Sequence, residues 1–153
     1  MEVKFINPFI NATLNVLETM AFIKPEAGKP YLKKDDIAQG DVSGVIGFTG
    51  ESKGTVSVTF NKSCILKIVS NMFGEEIKEI SNEIEDAVGE LTNMISGQAR
   101  KELEEIGKKF HGAIPSVITG KNHKILPMTK GHKIAIPFKI DSRSFTIEVA
   151  LEP

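Results

Sequence analysis

The hydrophobic positions of this chain follow two rhythms, and the two alternate. Residues 5–23 place apolar side chains at Phe9, Ile10, Leu14, Leu17, Met20 and Ala21. Gaps of three and four residues predict an amphipathic helix. Asn7 is the expected N-cap, with Pro8 at the first helical position. Residues 24–40 hold two prolines, Gly28, Gly40 and a run of charge. They read as loop, with a short strand at Tyr31 and Leu32. From Val42 to Phe60 the period becomes two. Val56, Val58 and Phe60 share one face, and Thr55, Ser57 and Thr59 share the other. With Gly50 to Gly54 between two such runs, a hairpin is expected. Asn61 then caps a helix over 62–73, which Gly74 ends.

The second half repeats the order. Ser81 or Asn82 opens a long helix whose Glu83 and Glu85 suit its positive N-terminal end. Its apolar stripe is Ile84, Ala87, Val88, Leu91, Met94, Ile95, Ala99, Leu103 and Ile106, and Gly107 stops it. Residues 114–120 read as a strand, and 122–132 as an irregular or edge stretch. A second hairpin follows from Lys133, turning at Asp141-Ser142, with Pro137 marking an edge or a bulge. A terminal run such as Phe145 to Leu151 would form an exposed edge if unpaired. Helix followed by hairpin thus occurs twice, as an internal duplication would produce. The expected fold is α+β, a single antiparallel sheet with long helices packed on it. One domain is expected over residues 1–153.

Composition narrows the classes of function. The 153 residues, 41% hydrophobic and 25% charged, suffice for one soluble core. A net charge of −1 provides no global attraction to nucleic acid or anionic membrane. The absence of Trp and a single Tyr argue against a base-stacking platform. No apolar run approaches the roughly 20 residues that cross a bilayer. The opening residues, broken by Asn, Pro and Glu, do not read as a signal peptide. Cys64 is alone, so it forms no internal disulfide and reads as a buried structural thiol; a cytoplasmic location is expected. No pair among His111, His123 and His132 has helical metal-ligand spacing. Gly44, Gly47, Gly50 and Gly54 lack the phosphate-loop order and read as hairpin and bulge glycines.

The long helix carries the candidate chemistry. Asp86, Glu90 and Asn93 stand at i, i+4 and i+7, which aligns them on one face. Gly89, Ser96 and Gly97 lie beside them. Each glycine costs a helix about 1 kcal/mol relative to Ala. Either the small residues give a partner access to this face, or they serve helix–helix packing.

Asp86-x-x-x-Glu90-x-x-Asn93, followed by Pro115, resembles the signature of the CheC/CheX/FliY family of bacterial phosphatases. The opening NPFINATLNVLETM and the order of elements resemble the CheX-type branch, and the likeness spans essentially the whole chain. Pro115 falls about one residue early for the family pattern. The resemblance implies a CheC-like fold that hydrolyses the aspartyl phosphate of a phosphorylated CheY-like response regulator. Asn93 would position the attacking water and Glu90 would dock the regulator's lysine. Asp86 would extend the acidic edge or only solvate the helix, while Gly89, Ser96 and Gly97 keep the border low. No cofactor of its own is implied, since the divalent metal, Mg, belongs to the regulator. A homodimer paired through β-strands is also implied. A non-catalytic module of the same fold, binding a receiver domain, is the alternative. Some members carry the Glu/Asn pair in both halves. Matching Leu14-Asn15-Val16-Leu17 to Thr92-Asn93-Met94-Ile95 puts Ala12 at the place of Glu90, so one complete site is expected.

Overall fold

In chain order the elements are α1 (Val3–Ala21), β1 (Glu26–Ala27), β2 (Tyr31–Lys33), β3 (Val42–Gly50), β4 (Gly54–Phe60) and α2 (Lys62–Phe73). There follow α3 (Asn82–Glu105), β5 (Phe110–Gly112), β6 (Ser116–Thr119), β7 (Lys133–Ile140) and β8 (Arg143–Leu151). The structure, a computed structural model, describes residues 3–126 and 132–152; part of the expected irregular stretch, 127–131, lies outside them. The strands form one antiparallel sheet in the order β1-β7-β8-β4-β3-β5, with β2 also on β7 and β6 also on β3.

That order is symmetric about the β4–β8 pair. Each hairpin supplies one central strand, and each outer hairpin strand is flanked by two short strands that precede the other hairpin. The repeat of helix and hairpin read in the sequence is therefore a repeat of architecture. Strand β8 is paired on both sides, to β4 and β7, so Phe145–Leu151 is no free edge. Pro137 makes no bulge, for β7 and β8 stay in register through it. It faces the break between β1 and β2, where its missing N–H breaks no ladder bond and its carbonyl accepts from the Gly28 N–H at 2.7 Å.

One face of the sheet carries the core. Phe48, Val56, Val58, Phe60, Phe138, Phe145 and Ile147 lie beneath Phe9, Val16 and Leu17 of α1 and Leu91 and Ile95 of α3. Helices α1 and α3 run antiparallel, joined at their surface by Asn11 to Glu102 (2.9 Å) and Asn15 to Gln98 (2.8 Å). Helix α1 begins five residues before Pro8, so Asn7 is no N-cap; Pro8 lies inside the helix and is buried. Asn61 stands at the start of α2, but its side chain donates to Ser144 Oγ. The Asp41 carboxylate does the capping, accepting from the Lys62 N–H at 2.7 Å. Helix α3 closes with Gly107 at φ +92°, where Lys108 N–H reaches the Leu103 carbonyl at 2.9 Å. Among the described residues no helix is long and apolar enough to cross a membrane.

The other face of the sheet is polar and yet largely buried. Ser43, Thr55, Ser57, Thr59 and Glu148 are all buried. Residues 36–41 and 120–125 run against each other across it, bonded at Ala38 to His123, Ile125 to Asp36 and Asn122 to Gly40. His123 Nε2 lies 2.6 Å from Ser43 Oγ, which in turn lies 2.6 Å from Thr59 Oγ1. Lys33 and Lys133 pair directly in register, and Glu148 lies between their ammonium groups at 3.2 and 3.7 Å. Two like charges side by side would repel. Glu148, with Asp36 at 3.0 Å from Lys133, reverses that.

Gly44 is no bulge glycine. A Cβ there would stand 1.9 Å from Thr92 Oγ1, because α3 crosses β3 at that point. Gly44→Ala should cost about 1–3 kcal/mol, the range for overpacking a close contact. A urea melt reads it. An unchanged midpoint would mean that α3 shifts freely. Cys64 is fully buried, and burial pushes its thiol up to about 12, with Arg143 pulling it slightly back. The raised value means that the thiol favours the folded chain below its ordinary range, near pH 9, and that this contribution is lost as pH rises towards 12. A disulfide reagent at pH 8 should leave Cys64 unmodified until denaturant is added. Rapid labelling of the folded protein would contradict the burial.

Candidate active site

Helix α3 brings the predicted residues to one place. Asp86, Gly89, Glu90 and Asn93 line an open groove of about 400 Å³, together with Glu85, Ala113, Ile114, Pro115 and Val117. The far wall is the segment between β5 and β6, which pair with β3 side by side. Asp86, Glu90 and Asn93 are exposed. Gly89 forms part of the floor, and a Cβ there would only meet Val117 at 3.5 Å, an ordinary contact. Beside Gly97 the nearest atom to such a Cβ is Arg100 Nη2 at 3.9 Å. Neither glycine is pressed against another helix, so packing does not account for them. Both leave the surface of α3 bare.

Ser96 belongs to the other side. It is fully buried, and its Oγ donates to the Asn93 carbonyl at 3.1 Å. It does not border the groove. Thr92 is likewise buried, its hydroxyl donating to the Val88 carbonyl at 2.7 Å. These two polar residues belong to the core-facing stripe, which therefore runs wider than its apolar members. Both direct their hydroxyls to carbonyls of the same helix, which satisfies them without solvent.

The groove is acidic. Glu85, Asp86 and Glu90 have no ion-pair partner among the described residues, and no basic residue lines it. Among the described residues no cluster of His, Cys, Asp and Glu could hold a metal ion. Such a surface attracts an ammonium group and repels a bare phosphoryl anion. Ile114, next to Pro115, is the feature the sequence reading missed. It is 90% exposed, so a large apolar side chain stands free at the rim. In sequence it looked like the first residue of a strand.

In the first half no acid stands one turn before an exposed, unbonded Asn among the described residues of α1. Thr13 Oγ1 donates to the Phe9 carbonyl at 2.7 Å, as Thr92 does to Val88, and both threonines are buried. Matching Thr13 to Thr92 in place of Leu14 to Thr92 is a second way to lay one helix over the other. Asn11 then stands at the place of Glu90 and Leu14 at that of Asn93. Asn11 is tied to Glu102, and Asn15 to Gln98.

A family model described as chemotaxis phosphatase CheX matches residues 42–139, more than half of the chain. The chain belongs to the CheX family. It is 30% identical over 126 residues to the CheY-P phosphatase CheX of Thermotoga maritima, covering 82% of this chain and 81% of that protein. A crystal structure of a CheC-like superfamily protein from Shewanella is 47% identical with a TM-score of 0.94, over 100% of both chains. The CheX–CheY–BeF3–Mg2+ complex from Borrelia burgdorferi is 26% identical with a TM-score of 0.82, covering 99% of this chain and 100% of that one. The fold is thus CheC-like, as the sequence resemblance implied.

Proposed function

We propose that this chain is a phosphatase that hydrolyses the aspartyl phosphate of a phosphorylated CheY-like receiver domain. The observation that carries the reading is the Glu90–Asn93 pair, exposed one turn apart on α3 in an acidic groove, in a member of the CheX family. The Thermotoga relative, a CheY-P phosphatase, and the Borrelia complex with CheY support the choice of partner.

The acidic groove cannot hold a phosphoryl group by itself. The receiver must bring its own cations, a lysine and a divalent metal, to that group. Glu90 binds the lysine through a charge-assisted hydrogen bond and sets the angle of docking. Asp86 and Glu85 add to the attraction. Asn93 then reaches the phosphorus from the side opposite the carboxylate leaving group. Its carboxamide holds one water by a donor and an acceptor without adding charge. The water oxygen bonds to phosphorus as the bond to the aspartyl oxygen breaks. Inorganic phosphate leaves, and the receiver keeps a free carboxylate. Little covalent work falls to the catalyst, so placing the water is what accelerates the step. Bare glycine at 89 lets the receiver approach α3 closely.

The test follows the loss of phosphate from a phosphorylated CheY-type receiver with and without this protein. Faster loss supports the reading. Binding without acceleration leaves a docking module, and neither binding nor acceleration overturns the proposal.

A further inference from the structure

The stripe that holds Asp86, Glu90 and Asn93 continues through Gly97 to Arg100, at the same spacing of four and three. Arg100 is half-buried and has no ion pair or hydrogen bond among the described residues; its Nε is buried without a partner. Its guanidinium is nevertheless held in place. It lies 5.8 Å from the centre of the Phe48 ring and packs on β5, where a Cβ on Gly112 would stand 2.8 Å from Arg100 Cζ. Its Nη2 reaches back to Gly97, one turn beyond Asn93, where nothing else lies within 4 Å of a Cβ position.

We propose that Arg100 is a second docking residue, whose guanidinium binds a carboxylate of the receiver beside its phosphorylation site. The inference rests on the receiver reading above. A protein site that holds a divalent cation near a phosphoryl group is built from oxygen ligands, chiefly carboxylates. The face that enters the groove therefore carries acidic groups as well as its lysine. The end of the stripe at Asp86 and Glu90 repels those acids, and the end at Arg100 attracts them. The stripe has a negative and a positive end on either side of Asn93, and opposite charges on the receiver fix the direction of docking. Because the guanidinium is already ordered against Phe48 and Gly112, little side-chain freedom is lost when it binds.

The experiment titrates the purified cognate receiver, as its beryllofluoride–Mg2+ form, into the full chain, and measures steady-state dephosphorylation beside it. Arg100→Gln should weaken binding about tenfold, as loss of a charge-assisted hydrogen bond does, and raise KM by a like factor, with kcat changing less than twofold. Arg100→Lys keeps the charge but loses the planar seat on Phe48 and Gly112, and should recover only part of the loss. The difference between the unaltered chain and Arg100→Gln should shrink as salt is raised, which a purely structural role would not produce. Gly112→Ala keeps Arg100 but fills its seat, and should weaken binding without a charge change. Equal affinity for the unaltered chain and Arg100→Gln overturns the inference and leaves the phosphatase reading standing. So does a loss in Arg100→Gln that salt and Arg100→Lys do not alter. No binding by the unaltered chain overturns both.

Discussion

Asn93→Ala should slow the dephosphorylation of a receiver by about 100-fold, roughly 2.7 kcal/mol in the barrier, while the fold and the affinity for the receiver stay close to the original. The asymmetry follows from where the side chain stands. Asn93 is exposed, and its side chain has no hydrogen-bond partner among the described residues. Removing it strands no buried group and opens no cavity. The groove retains Glu90, Asp86 and Ile114 for docking. The loss belongs to the water alone, which then has neither donor nor acceptor to hold it in line. Single-turnover decay of the phosphorylated receiver, alongside a binding titration, separates the two effects. A loss in binding equal to the loss in rate would make Asn93 a contact residue. Full activity would remove it from the mechanism.

Glu148→Ala acts at the opposite face and should cost about 3–5 kcal/mol of stability, a large share of the 5–15 typical of a domain. Glu148 is 6% exposed and is shared by Lys33 and Lys133, whose ammonium groups lie 3.2 and 3.7 Å away. Without it, two partly buried lysines that are in-register neighbours face each other, and among the described residues the carboxylates left to them are Asp35 and Asp36, with the Ile37 and Asp35 carbonyls accepting one bond each. The cost is the uncompensated charge, more than the lost attraction. Lys33→Met should cost less, since Lys133 still faces Glu148. Chemical denaturation measures both. A loss under 1 kcal/mol for Glu148→Ala would mean that water replaces the carboxylate. Protein of that variant that remains folded should keep its phosphatase rate, because α3 packs on the other side of the sheet.

The groove shows how far local reasoning reached. Asp86, Glu90 and Asn93 share a face because 3.6 residues make a turn, and no tertiary contact is needed to know it. Gly89 lies where expected for the same reason. Ser96 failed, although it is three residues from Asn93, because a hydroxyl that bonds its own helix can enter the core, and hydropathy does not record that. Thr13 and Thr92 are buried alike, each bonded to the carbonyl four residues earlier, a likeness that hydropathy does not record. Ile114 had no signal beyond an apolar residue before Pro115, since exposure is a property of what does not pack on it.

The sequence by itself determined the three helices, the two hairpins and the acid–amide pair. Each is a periodic or short-range pattern in which the residues that decide are near neighbours. Only the tertiary structure decided what covers the polar side of the sheet. Thr55, Ser57 and Thr59 alternate as a solvated face would, and they are buried nonetheless. Two loop segments some 85 residues apart pair across that face, fastened to the sheet by His123 at Ser43 and by Asp36 at Lys133, each partner 80 or more residues away. Tertiary packing also decided that α3 approaches the sheet at Gly44, and that Arg100 lies beside Gly97 with no ion pair among the described residues. Such outcomes depend on which distant groups meet, and charge or closeness between distant groups leaves no periodic trace along a chain.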